Sequence, residues 1–308
     1  MKHQLLIILL LSLFLPLTSR AAILYLEPSS ATYHQGDTFV LSLRIDAEEE
    51  CLNTVEGNLT FPQDVLRAVD FSQGNSLLTL WVSPPLINQA AGAISFTGGI
   101  PGGYCGRVIG DPGESNLLGK VIFKAKEVEP PEGVRTPKVE FSATSQVLLN
   151  DGLGTIAGLS AKGAEFTILP KSFDTAQGKN EWQEELMKDK TPPEVFKIEI
   201  NQDPSIFDGK YFIVFSTTDK QTGLDYYEVK EGESSWQRAA SPYLLEDQGL
   251  RSIIRVRAVD KANNHLIIEQ LPTKKPFPYW IIFVLLGAVI VGWLFARLTK
   301  SKRKAYGR

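Results

Sequence analysis

"TFVLSLRID", Thr38 to Asp46, puts Phe39, Leu41, Leu43 and Ile45 on one side of an extended chain, with polar residues between them. That period of two is the mark of a half-buried strand. Working outward, the same alternation recurs. "VEGNLTF" sets Val55, Gly57, Leu59 and Phe61 against Glu56, Asn58 and Thr60, and "AISFT" sets Ile94 and Phe96 against Ser95 and Thr97. "GKVIFKAKEV" and "AEFTIL" behave likewise. Short alternating runs separated by Gly, Pro, Asn and Asp turns predict an all-β antiparallel sandwich over residues 22–170. No amphipathic stretch in this region reaches ordinary helix length, which excludes an α/β fold.

"ISFTGGIPGGYCGR", Ile94 to Arg107, raises the question of chemistry. Gly98 and Gly103 have the separation of a phosphate-binding loop, but Tyr104 and Cys105 stand where it needs Lys and Ser or Thr, and no helix pattern follows. The glycine half reads instead as a turn in which the backbone reverses with positive φ. Catalytic groups are sparse. Besides His3 only His34 and His265 occur, in different halves of the chain and away from any nucleophile motif. There is no Cys-x-x-Cys or His-Glu-x-x-His zinc pattern. "NDGLGT" and "NQDPSIFDGK" carry Asp151, Asp203 and Asp208 without the alternating ligand spacing of an EF-hand, and Asp-Gly turns account for both. We therefore expect no catalytic residue, no cofactor and no metal site. A net charge of −3 gives no electrostatic case for nucleic acid.

The two ends of the chain differ. Residues 1–21 have the form of a secretory signal peptide: Lys2 and His3, an apolar core from Leu5 to Leu15, the breaker Pro16, then small residues at Ser19 and Ala21. Near the other end, about twenty residues from Phe277 to Ala296 carry no charge, which matches the hydrocarbon thickness of a bilayer. Tyr279, Trp280 and Trp293 sit near the limits of that stretch. The basic residues of 298–308 follow it, so a transmembrane helix over 277–297 is expected with its C-terminus cytoplasmic. Cys51 and Cys105 would both lie in the exported part, where an even count predicts one disulfide. In between, "KSFDTAQGKNEWQEELMKDKTPP" is charged and polar, so 171–192 reads as a linker, with a short helix around Glu181 to Lys188. From 193 to 272 the β pattern returns as about seven runs, which fits an Ig-like sandwich. "PTKKPFP" is then a proline-stiffened stalk.

Two stretches, "HQGDTFVLSLRID" and "NTVEGNLTFPQDVLRAVDFSQGNS", resemble the opening of a cohesin domain, and "GAISFTGGIPGG" and "LLGKVIFKAK" follow in the order that family predicts. The resemblance covers most of residues 22–170. It implies a nine-stranded jelly-roll with a binding face on one sheet and no catalysis. It also implies capture of an extracellular, dockerin-like protein through the face carrying Asn58, Thr60, Ser95 and Thr97. Carbohydrate-binding modules share the sandwich, so attachment of the cell surface to polysaccharide is the alternative. Trp81 in "TLWVSPP" has the parity of Thr79 and Ser83. It either faces outward, where it suits sugar stacking or a protein contact, or covers the sandwich edge. Residues 193–272 resemble the Ig-like or fibronectin-like repeats of bacterial surface proteins through "TPP", "TTDKQTGLDYYEV", "WQRAASPY" and "IRVRAVDKANN". That second resemblance implies a spacer.

Overall fold

The computed structural model describes residues 21–48, 50–106, 115–127, 133–171, 178–273 and 284–293. The expected signal peptide, apart from Ala21, lies outside the described residues, as do 298–308 and both flanks of the expected membrane span.

Twelve strands build the first sandwich: β1 (Ala22–Glu27), β2 (Ser30–His34), β3 (Thr38–Asp46), β4 (Leu52–Thr60), β5 (Leu66–Ser72), β6 (Leu80–Asn88), β7 (Ala93–Tyr104), β8 (Leu117–Ala125), β9 (Lys138–Phe141), β10 (Gln146–Leu149), β11 (Leu159–Lys162) and β12 (Ala164–Leu169). One sheet runs β11-β1-β3-β8-β5 and the other β2-β12-β9-β4-β7-β6, with β10 beside β4. All pairings are antiparallel except β1 with β11 and β2 with β12. The alternation of Thr38–Asp46 is realised fully, since Phe39, Leu41, Leu43 and Ile45 are completely buried. Opposite them, Val55, Leu59, Ile94 and Phe96 supply the inner side of the second sheet. An aromatic cluster ties the layers together: the Phe39 ring stacks on Tyr33 at 4.1 Å and meets Phe166 at 5.1 Å across the core. Gly57 sits mid-strand because the Phe96 ring fills its place, and a Cβ there would lie 2.3 Å from that ring.

The glycine half of "ISFTGGIPGGYCGR" is not a turn. It is the continuation of β7, which stays paired with β4 as far as Leu52 opposite Tyr104. Gly102 and Gly103 adopt φ of +88° and +81°, and the register slips between Leu52 and Thr54, so the kink is absorbed as an irregularity within the ladder. Just beyond, Cys51 and Cys105 form the expected disulfide.

Residues 172–177 of the expected linker are outside the described residues. Its helix, α1 (Glu181–Lys188), has the expected bounds and is capped by Asn180, whose side chain accepts from the Gln183 amide. It is not a free tether. Trp182 is buried, Glu181 accepts from the Val40 amide at 3.2 Å, and Glu185 pairs with Lys120 at 2.7 Å. The helix is amphipathic enough to bury one large side chain, and the contacts of Glu181 and Glu185 hold it on β3 and β8 of the first sandwich.

The second sandwich has the seven strands expected: β13 (Glu199–Asp203), β14 (Ile206–Val214), β15 (Leu224–Glu231), β16 (Gln237–Ala239), β17 (Tyr243–Leu244), β18 (Ile254–Asp260) and β19 (His265–Gln270). A sheet of β13-β14-β17 faces one of β16-β15-β18-β19 across a core that includes Ile213, Phe215, Val229 and Val256. The sandwiches touch. Ser72 Oγ donates to the Thr222 carbonyl at 2.6 Å, the Asn75 amide donates to the Asp219 carbonyl at 3.3 Å, and Lys261 pairs with Asp70 at 2.7 Å. Gly74 and Gly223 permit this approach: a Cβ on Gly223 would lie 2.7 Å from the Gly74 nitrogen. The last described element is a helix, α2, over 284–293. Among the described residues no helix is long and apolar enough to cross a membrane.

Candidate binding face

The outer surface of β10, β4, β7 and β6 gathers most of the residues singled out from the sequence. Register places Asn58 opposite Ser95, and Ser95 opposite Leu86. One step along, Gln146 lies opposite Glu56, Glu56 opposite Thr97, and Thr97 opposite Ser83. Two rows of outward side chains therefore cross the sheet, because pairing in register puts residues of one parity on one face. Thr60 is exposed at the end of β4, opposite Ala93. Asn58 is held in place: its Nδ2 donates to the Thr144 carbonyl at 3.2 Å and to Glu56 Oε1 at 3.3 Å. Its backbone amide also donates to the Ser145 hydroxyl at 3.1 Å. A side chain fixed by the neighbouring turn loses little freedom when a partner docks on it.

Trp81 does not join this face. It is half-buried against the core, with its ring 6.2 Å from Phe71 and 6.1 Å from Phe96, both edge-on or nearly so. The outward residues of β6 are instead Leu80, Val82 and Leu86, at 57%, 66% and 66% exposure. Trp81 keeps its parity opposite Leu80 and Val82, but it is the ring that faces the core and the aliphatic pair that faces out; the register slips between Trp81 and Ser83 and between Ser83 and Leu86 then take Ser83 off the Trp81 side. Pro84 and Pro85, which lack amide donors, sit in that irregular stretch, and β6 is an edge strand where such residues are tolerated. The outward alternation of β4 already marked Glu56, whereas nothing in the spacing marked the apolar trio.

The face thus offers hydroxyls, amides and one carboxylate beside an apolar margin. Neither histidine belongs to it: His34 sits on β2 beside Asp37 and His265 lies on β19. The arrangement suits non-covalent docking of another macromolecule, with the polar rows setting orientation and the apolar margin contributing burial.

The sequence matches no protein-family model and no curated protein. Solved structures that resemble it are cohesin modules. One, from a type I cohesin–dockerin complex of Clostridium thermocellum, is 10% identical, with 49% of this chain and 93% of that chain covered and a TM-score of 0.39. A non-cellulosomal cohesin from the archaeon Archaeoglobus fulgidus is 17% identical over 48% of this chain and 91% of its own, with a TM-score of 0.37. The cohesin module of a Clostridium perfringens family 33 glycoside hydrolase is 11% identical over 49% and 99%, with a TM-score of 0.35.

Proposed function

We propose that this chain is a membrane-anchored cell-surface binding protein whose first sandwich captures a partner protein without catalysis. The observation that carries this reading is the outward face of β4, β7 and β6, where oriented polar rows run beside the exposed Leu80, Val82 and Leu86. Exposed apolar side chains grouped beside a polar field mark a docking surface. The partner class is dockerin-like, as the sequence resemblance implies. The polysaccharide alternative loses its main support with Trp81 packed against Phe71 and Phe96. In this reading the second sandwich is an Ig-like spacer. The segment 277–297 spans the bilayer, and the exposed apolar surface of α2, including Leu285, Val289 and Ile290, is what lipid would cover.

The test is capture by the full chain in detergent, with a panel of dockerin modules and a polysaccharide array as probes. Glu56→Lys with Thr97→Arg reverses charge and adds bulk on the face without touching the core. We expect this double variant to melt as the parent does and to lose dockerin capture by tenfold or more. Capture that survives it moves the site elsewhere. Retention on glycan but on no dockerin replaces the proposal with the polysaccharide reading. Membrane insertion is checked separately by alkaline extraction of the full chain from membranes, where release into the supernatant refutes the anchor.

A further inference from the structure

We propose that Asp189, Asp219 and Asp260 hold a calcium ion at the joint between the two sandwiches. Each offers a carboxylate oxygen, and the three oxygens lie within 4.8 Å of one another. All three residues are buried, at 1%, 3% and 0% exposure. Three carboxylates so close and so dry repel one another strongly, and a low-dielectric setting gives that repulsion full effect. Neutral donors surround them. Asp189 accepts from the Thr191 amide at 3.0 Å and from Thr222 Oγ1 at 2.6 Å, and Asp260 accepts from the amide and the side chain of Asn264 at 2.8 and 2.9 Å. These bonds aim the carboxylates as outer partners aim metal ligands, but they bring no positive charge.

Asp219 supplies the second, independent sign. Its Oδ1 accepts from the Gln221 and Gly223 amides at 3.0 and 2.8 Å, while its Oδ2 is buried with no hydrogen-bond partner. A buried carboxylate oxygen without a donor costs desolvation that nothing offsets, and a bound cation removes the deficit. Nearby lysines do not serve. Lys220 pairs with Glu194 and Lys261 with Asp70, and among the described residues no Lys or Arg forms an ion pair with the three acids. The donor set contains only oxygen, which favours a hard cation over zinc, and three buried carboxylates that bind directly suit calcium better than a magnesium ion that keeps its waters. The site's place gives it a consequence. Asp189 ends α1, and Asp219 and Thr222 carry the carbonyls that receive Asn75 and Ser72 of the first sandwich. Calcium would therefore fix the orientation of one sandwich on the other.

The experiment uses the full chain in detergent, freed of metal by chelator and titrated with calcium chloride, and separately with magnesium chloride. We expect one calcium bound per chain by calorimetry. The melting temperature should rise by about 5–10 °C at a hundredfold excess over Kd. Asp219→Asn keeps an amide oxygen for Gln221 and Gly223 and places an NH2 toward the other acids. It should melt no lower than the metal-free parent and lose the calcium response; Asp260→Asn, as a second variant, should lose it too. Absence of calorimetric binding with unchanged melting means that the cluster shares a proton instead, and overturns the site. A full calcium response in both variants overturns it equally.

Discussion

The two sandwiches are held together by different means. In the first, apolar burial is dense: alternate residues of β3 are completely buried, Phe39, Phe123 and Phe166 gather near its centre, and a disulfide closes the rim. In the second, side chains bonded to backbone organise its ends. Asp247 collects the amides of Gly249, Arg251 and Ser252, Glu231 takes those of Glu246 and Asp247, and Gln248 both accepts from and donates to Tyr211. A small domain with little apolar area to bury needs directional bonds to specify its shape, whereas a larger core is tolerant of polar loss and intolerant of cavities.

That contrast can be broken in a graded way, by scanning calorimetry of the full chain with the two sandwiches followed as separate transitions. Phe39→Ala should cost the first sandwich about 3–5 kcal/mol and leave the second unmoved. A matching loss in the second would mean that the two fold as one unit. Replacing Cys51 and Cys105 by Ser should cost the first sandwich roughly 3–4 kcal/mol through the freed loop; no change on reduction would refute a stabilising bridge. Trp182→Ala should destabilise the same sandwich by about 2 kcal/mol, because α1 docks there. Were the second transition to move instead, the helix would belong to the other domain.

The smallest effect is one of pH. Hydrogen bonds from the Ser252 side chain and then from the Arg251, Ser252 and Gly249 amides hold the Asp247 carboxyl below its usual range, against a rise from burial. A group depressed in the folded state contributes stability above its unfolded value and loses that contribution as pH falls through the folded one. The second sandwich should accordingly weaken below about pH 4, and Asp247→Asn should flatten that acid limb. An unchanged limb in the variant assigns it to other carboxylates.

Much of this was legible in advance because it depends on local rules. Alternation in Thr38–Asp46 and Val55–Phe61 marked the sheets, and the short helix of Glu181–Lys188 was placed from the charged, polar composition of the stretch between the sandwiches. Non-local facts escaped. Trp81 turned inward because the aliphatic pair Leu80 and Val82 on its other side faces out, and strand pairing carried β7 through its glycines. The three-acid cluster had left a trace in the sequence: the chain contains three Asp-Lys dipeptides, beginning at Asp189, Asp219 and Asp260, and each aspartate is buried. Only the fold of the second sandwich and its docking on α1 bring such distant positions together, and no spacing rule of a contiguous loop anticipates them.

The two parallel ladders of the first sandwich have a mechanical consequence. β1 lies along β11 over four residue pairs and β2 along β12 over five, so the beginning of the module is laced to its end in both sheets. Tension between residues 22 and 169 drags these neighbours along a common axis in opposite directions. The rungs are then sheared all together, not peeled open one after another as in a hairpin pulled from its tip. The module resists being drawn out lengthwise far better than being unzipped sideways.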